Sequence, residues 1–342
     1  MEQNNLYSTL DPSPYGFHLK GFKELAKKYG FAMIILTLNN FITPYIFVFL
    51  LHFINSGFGL NLLVPDSDSY YFMLMLLNEL SAYLMPVILL RALFKKELRS
   101  FIPDKSYNKL PGEAVMMFLA GMSAGAIGNI ITYMINAIID DIFGTGEIPD
   151  AFENVEPQNI TQLIIFGFCI VVIAPIVEEL IFRDFLLKPL RAYGDLAASI
   201  ITGVLFGLYH GNFDQFAYAA LLGFFYSLIA VRYNSILPTI LLHAANNFLV
   251  LISSYLQGAF HNESTELFNT MGEISAYASL IVTVLMFIGA AVLIFVIYAF
   301  KKKLIVLHNH NRFVPEPHSL LDFLSVPWVI LGIVAMLIVF FV

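Results

Sequence analysis

The chain has 342 residues, of which 58% are hydrophobic and only 13% charged, with a mean hydropathy of +0.77. A water-soluble domain carries nearer a quarter charged residues, so this composition excludes one and leaves a polytopic membrane protein. The net charge is −7, no nucleic acid is expected as a partner, and the lone Cys169 excludes a disulfide framework and reads as a small core hydrophobe.

The first 30 residues are polar and lack the pattern of a cleavable signal. Within them, residues 17–29 (FHLKGFKELAKKY) fit a basic helix lying at the membrane interface. A spanning helix needs roughly 20 apolar residues. About nine candidates follow, over 31–54, 70–94, 113–139, 162–190, 196–210, 216–231, 236–256, 274–300 and 323–342. The fifth and sixth are short, and neither is expected to be full-length. The predicted fold is therefore all-α, a polytopic membrane helical bundle of about nine transmembrane helices. The chain divides into an N-terminal segment (1–30), a transmembrane region (31–257) and an appended C-terminal pair of spans (258–342).

If the spans alternate, all 18 Lys and Arg fall on one side of the membrane, while the opposite loops carry acids such as Asp66, Asp68 and Glu273. Basic loops stay in the cytoplasm, so the N-terminus is expected to be cytoplasmic and the C-terminus outside. No internal repeat is visible. In the third span, GMSAGAIGN places Gly121 and Gly125 four apart, a close-packing face for another helix.

Ionisable groups inside the bilayer cost several kcal/mol, which makes them functional candidates. The fourth span reads APIVEELIFRDFLLKPL and holds Glu178, Glu179 and Arg183; the fifth ends in FGLYH, with Phe206 and His210; the seventh contains HAANN, with His243 and Asn247. A spacing of four puts each pair on one helical face, and Glu179 preceding Arg183 is the favourable order for a salt bridge within a helix. Glu178 points about 100° away from Glu179 and is left for other work. Pro175 should bend the helix and free a carbonyl nearby. Singly, each histidine is as well explained as a packed interior residue. Two histidines and a glutamate also make a zinc ligand set, although no HExxH is present.

EELIFR, FGLYH and HAANN match EExxxR, FxxxH and HxxxN, in that order over residues 178–247. This set resembles the family of CAAX prenyl endopeptidases and bacteriocin-processing proteins, the abortive-infection family of intramembrane glutamic proteases. The resemblance covers about the third to seventh spans. It implies an eight-helix type of protease core, from which nine spans depart by an extra C-terminal one. It also implies a metal-independent endopeptidase with no cofactor, in which Glu178 and His210 act on a water and His243 and Asn247 serve the oxyanion. Glu179 and Arg183 would support that group, with a grip on a substrate carboxylate as a further role, and Phe206 would line it. Zinc is the rival chemistry. The implied substrate is a membrane-associated peptide or protein, as in pheromone or bacteriocin maturation, immunity or CAAX-type processing, in a bacterial plasma membrane. The competing readings are a non-catalytic membrane scaffold or sensor of the same fold, and an ion-coupled transporter. The transporter reading lacks the repeated halves common in such proteins. Oligomeric state leaves no mark in the sequence.

Overall fold

The computed structural model describes residues 14–58, 85–95, 110–143, 157, 159–191, 194–301 and 318–339. Among them every regular element is a helix. In chain order these are α1 (Pro14–Phe58), α2 (85–93), α3 (Gly112–Phe143), α4 (Ile160–Leu190), α5 (Asp195–Tyr209), α6 (Phe213–Tyr233), α7 (Leu237–Val250), α8 (Thr265–Lys301), α9 (His318–Leu324) and α10 (Pro327–Ile338). Five of the described helices are long and apolar enough to cross a membrane: α3, α4, α6, α7 with its continuation to Tyr255, and α8. The protein is thus a polytopic helical bundle. The first part of the predicted second span, residues 70–84, lies outside the described residues.

Two features of the sequence reading are altered. The sixth span is full-length: Asn212 caps α6 by accepting from the Gln215 backbone N–H at 2.8 Å, and the helix then runs 21 residues to Tyr233. Its polar start, Asp214 and Gln215, had hidden the first turn. The fifth, α5, is short at 15 residues, as expected. The basic segment 17–29 is not a separate interfacial helix either, because α1 continues through it without a break. Its apolar face, Phe22, Leu25, Ala26 and Tyr29, is buried. Tyr29 stacks edge-on against Phe94 and Phe323 and donates its hydroxyl to the Leu186 carbonyl of α4. A face consumed by protein is unavailable to the lipid surface.

The bundle is organised around α6, which packs against α3 on one side and α5 on the other. Small residues on both partners permit this. A methyl group on Gly121 or Gly125 of α3 would come within 2.8 Å of Phe225 or 2.7 Å of the Tyr218 ring, so the predicted close-packing face meets α6. Gly203 and Gly207 of α5 abut the α6 backbone on the opposite side. Beyond α3 lies α8, and α10 packs along α1. The first core joins α1, α2, α5, α9, α10, the second half of α4 and one face of α6; the second joins α3, the other face of α6, α7 and α8.

Helix α4 is not uniform. It is π-helical over Cys169–Ile173 and again over Leu180–Leu187. The first segment arises at Pro175. The Ala174 N–H reaches back to the Cys169 carbonyl, five residues away, and the next amide in that register should serve Ile170. That next residue is proline, which has no N–H. Ile170 therefore keeps a carbonyl without a helical donor, as the sequence led us to expect.

Candidate active site

Three helices converge on the middle of the bundle, α4 carrying Glu178, Glu179 and Arg183, α5 ending at His210, and α7 carrying His243 and Asn247. The π segment that begins at Leu180 follows directly on the two glutamates. Such widened turns inside α-helices are often found at functional sites.

Glu179 and Arg183 are each wholly buried, 0% exposed, and paired through Oε1 and Nη1 at 3.1 Å. The guanidinium donates from Nη2 to the Gly223 carbonyl of α6 at 3.0 Å. It also lies 4.5 Å from the Phe206 ring and 5.3 Å from the Tyr226 ring. Gly223 is required for this approach: a Cβ there would stand 2.7 Å from Phe206 and 3.1 Å from Arg183 Nη2. A guanidinium so enclosed cannot grip a substrate carboxylate, and that part of the sequence reading is withdrawn. Arg183 braces the site from within.

Glu179 Oε1 also accepts from His243 Nδ1 at 3.1 Å. A carboxylate only accepts, so Nδ1 carries a proton and Nε2 is the nitrogen that faces outward from this pair. Nε2 points at Glu178 Oε2, 3.7 Å away, beyond hydrogen-bond length but in close electrostatic contact. The imidazole is held in plane by Tyr226, stacked at 5.2 Å. The two adjacent glutamates thus sit on either edge of one imidazole, as their 100° separation on the helix allows.

His210 follows the last turn of α5, and its Nδ1 meets the Phe206 carbonyl at 2.8 Å. The carbonyl can only accept, so the proton is again on Nδ1, and neutral His210 presents Nε2 as an acceptor. Gly211, at φ +69°, then turns the chain into α6. The Phe206 ring stands edge-to-face with His210 at 4.8 Å and with His243 at 5.7 Å, linking the two imidazoles. Asn247 lies one turn beyond His243, half-buried, and donates from Nδ2 to the Ile170 carbonyl at 2.8 Å. It supplies the donor that Pro175 lacks.

The structure therefore links Glu178, Glu179, Arg183, Phe206, His210 and His243 in one continuous set of contacts, and ties Asn247 to the π segment upstream of the glutamates. Sequence reasoning missed Gly223 and Tyr226. Both sit on α6, which carries no polar motif, and their spacing of three is that of any packed helix face. Among the described residues no group of three or more His, Cys, Asp or Glu side chains forms a metal-holding cluster.

Comparison with known proteins adds one positive finding. No curated protein and no solved structure matches the chain. Residues 160–249, running from the start of α4 to two residues past the HAANN motif of α7, match the family model described as type II CAAX prenyl endopeptidase Rce1-like, the family that the three spaced motifs resemble.

Proposed function

We propose that the protein is an intramembrane endopeptidase that hydrolyses a peptide bond in a membrane-associated peptide or protein, using a water activated by Glu178. The observation that carries this reading is a buried imidazole, His243, fixed by Glu179 at 3.1 Å with its other nitrogen 3.7 Å from Glu178, inside the stretch that matches a family of endopeptidases. Buried charges of this kind cost free energy and serve no packing need, so a function has to account for them.

In the proposed sequence Glu178 takes a proton from water, and the water oxygen attacks the scissile carbonyl carbon. The negative charge that develops on the carbonyl oxygen is met by an N–H of Asn247 and by the Nε2–H of His243 in its doubly protonated form, whose Nδ1–H is held by Glu179. The carbon–nitrogen bond then breaks, and the proton taken from the water is passed to the leaving amine through His210 Nε2. Glu179 and Arg183 act by fixing the His243 ring. The reading is metal-independent: Glu178 itself activates the water, and the guanidinium beside Glu179 opposes a further cation there. The protein would work in a bacterial plasma membrane with its N-terminus cytoplasmic, where all basic loops of the alternating topology lie.

The test compares the peptides in membranes holding the wild-type protein with those holding Glu178→Gln. A peptide pair differing by one cut, present only with wild type, supports the proposal and identifies the bond. Identical peptide populations, together with ion-driven uptake that survives the substitution, would replace it with transport.

A further inference from the structure

Asn247 is not placed by α7 alone. Its side-chain oxygen accepts from Asn246 Nδ2 at 3.3 Å, and the oxygen of Asn246 accepts in turn from the Tyr218 hydroxyl at 2.8 Å. Tyr218 belongs to α6, where its backbone N–H donates to the Asn129 side chain of α3 at 3.1 Å. Four helices are thereby joined through one line of hydrogen bonds that ends on the Ile170 carbonyl of α4.

The direction of this line is forced. The Ile170 carbonyl can only accept, so Asn247 must turn its NH₂ toward it and its oxygen toward Asn246. Asn246 must then present its NH₂ to that oxygen, which turns its own oxygen to Tyr218. Tyr218 is left with one role, that of donor. Asn246 is 6% exposed, and Asn129 and Gly125 fix the Tyr218 backbone and ring. One hydrogen of the Asn247 amide is spent on Ile170. The other is the one available to an incoming oxygen, and its direction is set by the whole relay.

We infer that Tyr218 and Asn246 are positioning residues for the reaction: through a one-way hydrogen-bond relay they lock the Asn247 carboxamide in the orientation that offers its second N–H to the scissile carbonyl. The inference rests on the peptidase reading for what Asn247 does, and on the relay geometry alone for how Asn247 is held.

The test has two arms, both on the full chain in detergent micelles. In the first, an internally quenched farnesylated CAAX peptide is the probe. Tyr218→Phe and Asn246→Leu should each lower kcat by about tenfold or more with KM within about twofold, since removing an oxyanion donor outright costs about 10²–10³ in kcat. On an Asn247→Ala background neither should lower kcat further, which a merely structural loss would not reproduce. In the second, side-chain amides are followed by NMR with ¹⁵N-asparagine, the Asn247 signal being identified by its loss in Asn247→Ala. Tyr218→Phe should shift that signal, and Tyr277→Phe, at an outward-facing position 65% exposed, should not. An Asn247 signal indifferent to both Tyr218→Phe and Asn246→Leu, or additive losses of kcat, would overturn the relay. A shifted signal with no Glu178-dependent cleavage would leave the relay standing and overturn the peptidase reading instead.

Discussion

Replacing Arg183 with methionine should unfold the site without touching any group proposed to meet substrate. The methionine roughly fills the aliphatic volume, so the loss is electrostatic. Glu179 and Arg183 are both 0% exposed, and removal of the guanidinium leaves the Glu179 carboxylate with His243 as its remaining ion-pair partner of the two it has here. Breaking a buried pair by deleting one member costs about 3–5 kcal/mol, because the survivor stays desolvated. The Gly223 carbonyl loses its 3.0 Å donor at the same time but keeps the Ser227 hydroxyl, which donates to it at 2.9 Å, so this loss adds little. A total near 3–5 kcal/mol is therefore expected. The measurement is equilibrium unfolding by SDS titration in mixed micelles, with Glu179→Gln/Arg183→Met beside the single variant. The double substitution removes the stranded charge, so it should recover at least half of the lost stability. If it is no more stable than Arg183→Met alone, the pair is not held together by charge, and the bracing role assigned to Arg183 fails.

Further outcomes follow from the same geometry. Gly223→Ala would place a methyl group 2.7 Å from Phe206 and 3.1 Å from Arg183, so it should destabilise by about 1–3 kcal/mol and lower kcat, both visible in the same titration and a peptide assay. Pro175→Ala should act in opposite directions on stability and turnover. It restores the backbone N–H that can serve Ile170, so thermal stability should hold or rise while the released Asn247 amide loses its orientation and kcat falls. Peptide cleavage should persist after dialysis against 1,10-phenanthroline; loss that zinc restores would establish the rival metal chemistry.

The charges were legible because the bilayer makes them expensive. Glu178, Glu179, Arg183, His210 and His243 stand out against apolar surroundings, and a spacing of four places Glu179 with Arg183 and Phe206 with His210, pairs that meet in the structure. The glycines of α3 were legible for a related reason, since small residues four apart in an apolar helix announce a close neighbour, here α6. The α6 start was not, because an N-cap followed by Asp and Gln resembles a loop until its hydrogen bonds are known. The fate of α1's basic segment was hidden too. An amphipathic face is the same pattern whether it meets lipid or protein, and only the positions of Phe94, Phe323 and Leu186 decide.

The deeper gap concerns which polar groups are partners. Sequence spacing pairs residues within a helix, but the site is built mostly between helices: Glu179 with His243, Arg183 with Gly223, Tyr218 with Asn246, Asn247 with Ile170. In a membrane each such pairing is favoured, since lipid cannot satisfy a stranded donor or acceptor. Pro175 illustrates how far that constraint reaches. A missing N–H in α4 creates an orphan carbonyl, the orphan demands a donor, and the donor that answers is a carboxamide one turn from an imidazole on α7. The proline and the asparagine, 72 positions apart, are two halves of one hydrogen-bonding requirement. A sequence with the proline alone would strand a carbonyl in the bundle, and one with the asparagine alone would lose what aims its amide.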